Sequence, residues 1–205
     1  EGKLDGNLFL IGRGDPTMKT ADLENLASKV SDYGIEQISG DLVIDVSLFE
    51  EKFKGPGWMW DDNPYSFSMS ISPLMLNYNV ATVQVQRMNS GNLIPGFIPP
   101  SDYPRLEWDE DSRGSIRISR EPFRSSFSIS GNQMPENRSR VSSSLAVYDP
   151  PLWIGYTFKK ILEEQGIKFV SGFQDVQSSN PISEVRLAPS PESVEIIVRH
   201  PSLPL

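Results

Sequence analysis

The apolar residues of this chain change period twice, and that double switch limits its fold more than any other feature. Leu23, Leu26, Ala27 and Val30 recur at i, i+3, i+4 and i+7, the stripe of an amphipathic helix. In Ser115-Ile116-Arg117-Ile118-Ser119 and Ser126-Phe127-Ser128-Ile129-Ser130 the period falls to two, so each stretch is a strand with one apolar face. Helical spacing returns with Ile154, Phe158, Ile161 and Leu162. Helix-and-strand material therefore brackets a β-rich middle, and the fold class expected is α+β.

The flanks of each element sharpen that outline. Residues 7–11 form a short apolar strand, broken by Gly12-Arg13-Gly14-Asp15-Pro16-Thr17. A turn is the better reading there, because the Gly-Lys-Ser/Thr ending of a phosphate-binding loop is missing. Thr20 is placed as the cap of the first helix, Tyr33 as its end and Gly34 as its C′ residue. Residues 38–46 read as one strand, and residues 81–88 as another with Val83 and Val85 on one face. From 90 to 104, Gly91, Pro95, Gly96, Pro99, Pro100 and Pro104 predict turn after turn. A helix over 152–165 closed by Gly166, a strand at 167–170, a loop at 178–181 and strands at 184–188 and 194–199 complete the chain. The division expected is an α/β unit in two segments, 1–80 and 147–205, interrupted by a small β-rich subdomain over 81–146.

Composition excludes several function classes. A formal charge of −8, from 27 acidic and 19 basic residues, argues against a nucleic-acid or anionic-membrane surface. The Arg113, Arg117, Arg120, Arg124, Arg138 and Arg140 group lies among Asp109, Glu110, Asp111, Glu121 and Glu136, which reads as a mixed solvated face. Without cysteine there is no thiol catalysis, disulfide or thiolate metal site, and His200 is the lone histidine, so neither a metal nor a cofactor is expected. No apolar run is long enough to span a bilayer and these residues include no signal peptide, and neither absence locates the protein, because the chain is expected to begin and end in mid-structure.

The densest chemistry lies in Gly55-Pro56-Gly57-Trp58-Met59-Trp60-Asp61-Asp62-Asn63-Pro64-Tyr65-Ser66-Phe67-Ser68. Gly55, Pro56 and Gly57 force a turn, and Pro64 pushes Asn63 away from helix, giving a second bend. Aromatic rings beside carboxylates suit an amphipathic ligand with a cationic end. The plainer reading is a loop anchored by its Trp residues, with Asp61 and Asp62 facing water. Asp61 and Asp62 make a poor acid/base pair for glycoside hydrolysis, because neighbours on an extended loop point to different faces.

Four passages, in order, resemble the S13 peptidases, the class C low-molecular-mass penicillin-binding proteins that act as D-alanyl-D-alanine carboxypeptidases and endopeptidases. The first is Gly6-Asn7-Leu8-Phe9-Leu10-Ile11-Gly12-Arg13-Gly14-Asp15-Pro16-Thr17. The second joins Ile38-Ser39-Gly40-Asp41-Leu42-Val43-Ile44-Asp45-Val46-Ser47-Leu48-Phe49 to the aromatic loop. Ile129-Ser130-Gly131-Asn132 with Tyr148-Asp149-Pro150-Pro151 is the third, and His200-Pro201-Ser202-Leu203-Pro204-Leu205 the fourth.

The resemblance implies a penicillin-recognising transpeptidase-like domain carrying two inserted domains, with this chain corresponding to the insert. It also implies catalytic Ser-x-x-Lys, Ser-x-Asn and Lys-Thr-Gly motifs. No Lys here has Ser three residues before it; Ser90-Gly91-Asn92 and Ser130-Gly131-Asn132 fit the second motif only as bare tripeptides. No catalytic residue is therefore expected in this chain: the nucleophile is expected upstream of Glu1 and the other motifs beyond Leu205. What the resemblance leaves here is a substrate-binding set, Trp58 or Trp60 with Asp62, Tyr65 and Phe67. It would help form a pocket for the free-amine end of a peptidoglycan stem peptide, and spacing leaves open which Trp faces it. β-Lactams would bind the complete enzyme, on the extracytoplasmic side. The alternative is a non-catalytic cell-envelope module for a protein or glycan.

Overall fold

The computed structural model describes residues 2–49, 57–170, 185–188, 190–191 and 194–201. Its N-terminal strands β1 (Lys3–Leu4) and β2 (Leu8–Ile11) are separated by a turn at Gly6, whose φ of 146° suits glycine. Helix α1 (Thr20–Asp32) follows, and the predicted stripe is its core face: Leu23, Leu26, Ala27 and Val30 are buried. Thr20 is not the cap. Lys19 occupies that position, and its N–H is accepted by Asp22 Oδ2 at 2.8 Å. Asn77 supplies the rest from another segment: its Oδ1 accepts Thr20 N–H at 3.3 Å and its Nδ2 donates to Thr20 Oγ1 at 2.8 Å. The helix ends as expected at Tyr33, with Gly34 at φ 93°.

The strand expected over 38–46 is two strands in different sheets, β3 (Gln37–Ile38) and β4 (Leu42–Asp45). Gly40 explains the break. A Cβ there would stand 2.4 Å from Asn7 Oδ1 and 2.5 Å from the Gly6 carbonyl oxygen, so the chain crosses at contact distance where only glycine fits. All four residues of β4 are buried, the pattern of a central strand covered on both faces.

Residues 77–79 link this part to the next through a left-handed turn, with φ of 50°, 60° and 55° at Asn77, Tyr78 and Asn79. Such a run costs about 1–2 kcal/mol per residue outside glycine. Hydrogen bonds impose it: fully buried Asn79 accepts from Leu76 N–H at 3.2 Å and donates to the Ser70 carbonyl at 2.8 Å.

Next come β5 (Val80–Arg87), β6 (Leu93–Ile98), β7 (Leu106–Asp109), β8 (Arg117–Ser119), β9 (Phe127–Ser130) and β10 (Arg140–Ala146). Val83 and Val85 are buried on one face of β5, as are Phe127 and Ile129 on β9. Strand β6 lies where only turns were expected. Its Pro95 and Gly96 are tolerated because β6 is the edge of the antiparallel sheet β10-β5-β6. The other sheet has order β7-β9-β8.

Helix α2 (Pro150–Glu164) starts at the proline pair, two residues earlier than predicted. Proline suits the first helical turn, where an N–H has no intrahelical acceptor. Gly166 closes it at φ 90°. β11 (Lys168–Phe169) joins a parallel sheet β1-β3-β11, and β12 (Val185–Leu187) pairs with β4 in the parallel sheet β12-β4-β2. Residues 194–199 form no strand, contrary to expectation; the loop expected at 178–181 lies outside the described residues.

Among the described residues each of the four sheets takes its strands from one side only of the β-rich boundary, yet one buried cluster runs through both sides. Phe97 of β6 makes the join, 5.5 Å edge-on from Phe127 of β9 and 5.5 Å from fully buried Trp153 of α2.

Candidate functional site

The aromatic loop is held in place at several points. Short 3-10 turns at Trp60–Asp62 and Ser66–Ser68 shape it, with Tyr65 N–H donating to the Asp62 carbonyl at 2.9 Å and Ser68 N–H to the Tyr65 carbonyl at 2.9 Å. It lies along β10: Ala146 N–H donates to the Pro64 carbonyl at 3.0 Å, and Tyr65 bridges to Leu145. From the other side comes Arg120, only 4% exposed, whose guanidinium donates to the Asn63 carbonyl and, at 2.8 Å, to the Arg124 carbonyl. Buried Asn63 completes the joint by accepting Phe123 N–H on Oδ1 at 3.1 Å.

Arg120 is thus a clamp and not part of a solvated face. Burial pushes its pKa down to about 10, against an opposing pull from the Tyr103 hydroxyl. Among the described residues it makes no ion pair; backbone carbonyls are its acceptors. Sequence reasoning missed both Arg120 and Asn63. Residue type gave no signal, since arginine is seldom buried.

The predicted site residues sit on this frame as follows. Trp58, Tyr65 and Phe67 are exposed, and the rings of Tyr65 and Phe67 stack with centroids 5.5 Å apart and planes 11° from parallel. Asp61 is exposed, whereas Asp62 is half-buried. The Trp60 backbone lies in the first 3-10 turn; its side chain, with Gly55 and Pro56, lies outside what the structure describes. The loop therefore carries solvent-facing rings at Trp58, Tyr65 and Phe67 and a half-buried residue at Asp62.

Two surface concavities lie elsewhere. One, of about 330 Å³, is on the outer face of β5 and β6 around Met88, Ile94 and Ile98; the other, of about 220 Å³, is walled by Glu107, Glu121 and Arg124. Among the described residues no group of three or more His, Asp or Glu could hold a metal, and no helix is long and apolar enough to cross a membrane.

A second constellation fastens the C-terminal segment. Asp45, 1% exposed at the end of β4, accepts Ser47 N–H and Ser190 N–H at 2.9 Å and both serine hydroxyls at 2.6 Å. Burial opposes its ionisation, but the bonds from Ser190 and Ser47 outweigh burial and hold the carboxyl well below the usual range. Beyond it Tyr33 Oη donates to Glu195, and His200 Nε2 lies 3.5 Å from Asp15 Oδ2. Asp15 Oδ1 in turn accepts Thr17 N–H at 2.8 Å, closing a turn over 15–17, while Gly14 N–H donates to the Pro73 carbonyl at 2.8 Å.

Residues 1–199 match the model of the D-Ala-D-Ala carboxypeptidase 3 (S13) family. The chain belongs to that family. An S13 relative, the D-alanyl-D-alanine carboxypeptidase of Actinomadura sp. (strain R39), is 24% identical over 179 residues, covering 78% of this chain and 32% of the relative. The D-alanyl-D-alanine carboxypeptidase DacB of Haemophilus influenzae is 31% identical over 99 residues, covering 48% and 21%. The S13 chain thus spans about a third or less of these relatives. Its fold is similar to penicillin binding protein 4 (dacB) of H. influenzae, with TM-score 0.68 and 21% identity over 98% of this chain and 43% of that one. The same protein complexed with a β-lactam gives TM-score 0.53, 18% identity, and 98% and 41% coverage.

Proposed function

We propose that this S13 chain is the inserted, accessory part of a serine-type D-alanyl-D-alanine carboxypeptidase/endopeptidase acting on peptidoglycan outside the cytoplasm. In this reading the α/β unit is formed by 1–80 and 147–205, and 81–146 is a subdomain within it. The acylating serine lies in a penicillin-recognising domain beyond these 205 residues, where β-lactams bind as well. The chain needs no cofactor and binds no nucleic acid.

Its contribution is a wall of the substrate side-chain pocket. The observation that carries this reading is the anchoring of the loop. Asn63 and Arg120 are buried beneath it while Trp58, Tyr65 and Phe67 stay exposed beside half-buried Asp62. A loop needed only as a connection gains nothing from fixing exposed rings in place. The Asp62 carboxylate receives the ammonium of the stem peptide, and Tyr65, Phe67 and Trp58 or Trp60 cover its methylenes.

Asp62→Asn in the complete protein tests it. A charge-assisted contact at a partly covered site is worth roughly 1.5–3 kcal/mol, so kcat/KM for a peptide with a free side-chain amine falls about ten- to a hundredfold, while a capped peptide is spared. Asp61→Asn does much less. Equal losses on both peptides would remove Asp62 from the pocket. A second reading, a non-catalytic envelope module, is favoured by the apolar concavity around Ile94 and Ile98. A full-length protein lacking Ser-x-x-Lys would decide for it.

A further inference from the structure

Strand register lays out the outer face of the sheet β10-β5-β6. Ser144, Thr82 and Ile98 form one row across the three strands, Ser142, Gln84 and Gly96 the next, and Arg140, Gln86 and Ile94 the last. The opposite face enters the core, where Val83, Val85 and Phe97 are buried. On the outer face the Thr82 and Ser144 hydroxyls lie 2.8 Å apart, and Gln84 Nε2 donates to Gln86 Oε1 at 3.4 Å. Arg140, at one corner, is the one charge on these rows, although the chain carries a net −8.

Gly96 sits in this face without a structural demand for it. Glycine weakens a strand, because it packs nothing and loses more conformational freedom on folding. A positive φ or a close crossing justifies it elsewhere in this chain. Gly96 lies outside the left-handed region, and a Cβ there would meet nothing within 4 Å. What it does is open the surface. Between exposed Ile94 and Ile98 it floors the concavity of about 330 Å³, which Gln84, Gln86 and Met88 complete. Small-ligand clefts begin at about 300 Å³, and a strand glycine of this kind marks a place where a ligand approaches the backbone.

The lining selects the chemistry of that ligand. Two primary amides with neighbouring hydroxyls offer donors and acceptors without charge, and Ile94, Ile98 and Met88 offer aliphatic surface. Pro95, in mid-strand on the sheet edge, has no N–H for an added strand, so the occupant lies on the face. An N-acetylated sugar matches it: uncharged, rich in hydroxyls, with one amide and one methyl.

We propose that this face binds the glycan strand of peptidoglycan, with an acetamido group over Gly96, its methyl between Ile94 and Ile98 and its amide on Gln84 and Gln86. The identity of the sugar rests on the action on peptidoglycan proposed above, and the role of Asp62 does not enter. The placement suits one substrate. Tyr65 bridges to Leu145 of β10, and β10 and β5 separate it from β6. Three strand spacings make about 14 Å, the length of about four extended residues. A single molecule thus lays its sugar on the sheet and a peptide side chain on the aromatic loop.

The test titrates the complete, isotope-labelled protein with chitotetraose, a tetramer of N-acetylglucosamine, and with cellotetraose, which lacks the acetamido group. Chitotetraose should shift the amide signals of residues 84–86 and 94–98, and cellotetraose should bind about fivefold more weakly. Gly96→Val fills the concavity with a residue that suits a strand, so the thermal midpoint stays or rises while affinity for chitotetraose falls about tenfold or more. Gln84→Ala should erase the preference between the two sugars. Absence of shifts at these residues, equal affinity for both sugars, or a valine variant that binds like the parent would each overturn the proposal. So would a parent that binds no sugar but loses mass in light scattering on Gly96→Val, which would make the face a contact between copies of this chain. Asp62→Asn is read by turnover of sugar-free peptides, so a silent Asp62 beside intact sugar binding fails the loop alone, and the reverse fails the glycan face alone.

Discussion

Asp45→Asn removes one charge and almost no volume, which makes it a clean probe of how the C-terminal segment is held. In the parent, each carboxylate oxygen accepts one backbone N–H and one serine hydroxyl, from Ser47 on Oδ1 and Ser190 on Oδ2. An asparagine offers one acceptor oxygen, and its amide must face either Ser47 N–H or Ser190 N–H. The serine hydroxyl can turn and accept; the backbone N–H cannot. One part-buried donor is therefore stranded, at about 1 kcal/mol, and the remaining bonds lose their charge. A total of about 2–4 kcal/mol is expected at pH 7 by urea unfolding.

The pH dependence gives the sharper check. Because the folded carboxyl ionises below its ordinary 3.8, its stabilisation is complete above that pH and drains away as pH falls toward the folded value. Between pH 7 and pH 3 the parent should lose about 1 kcal/mol relative to the asparagine variant. Hydrogen exchange should quicken around residues 190–201 before it does elsewhere. A difference that does not change with pH would show that the charge of Asp45 is not what fastens the segment.

Two further outcomes are expected. Arg120→Met removes the bonds to the Asn63 and Arg124 carbonyls, so the Asp62, Tyr65 and Ser68 amides should exchange about ten- to a hundredfold faster; an even increase along the whole chain would refute a local clamp. The 205-residue chain incubated with benzylpenicillin should gain no mass by intact-mass spectrometry, because acylation needs a serine activated by a neighbouring base and no Ser-x-x-Lys occurs here; a stoichiometric adduct would contradict the accessory reading.

What this sequence determined by itself is what depends on near neighbours. The buried stripes of α1 and α2, the glycines that end them and the alternation of β5 and β9 follow from contacts within a few residues. The ordered phrases of the S13 family were legible for another reason: they are strings, and the family match over 1–199 needs no folding to be read. Tertiary structure decided whatever depends on a distant partner. Pro95 and Gly96 predict a turn until β5 lies beside them, and 38–46 reads as one strand until Gly6 and Asn7 cross at Gly40. Thr20 looks like a cap until Asn77 takes over the first turn. Arg120 reads as a surface charge until Asn63, 57 positions away, gives its guanidinium an acceptor, and Asp45 meets Ser190 across 145 positions. A hydrogen bond is short in space and indifferent to separation along the chain. The residues that hold the aromatic loop therefore became visible only once the backbone had closed around them.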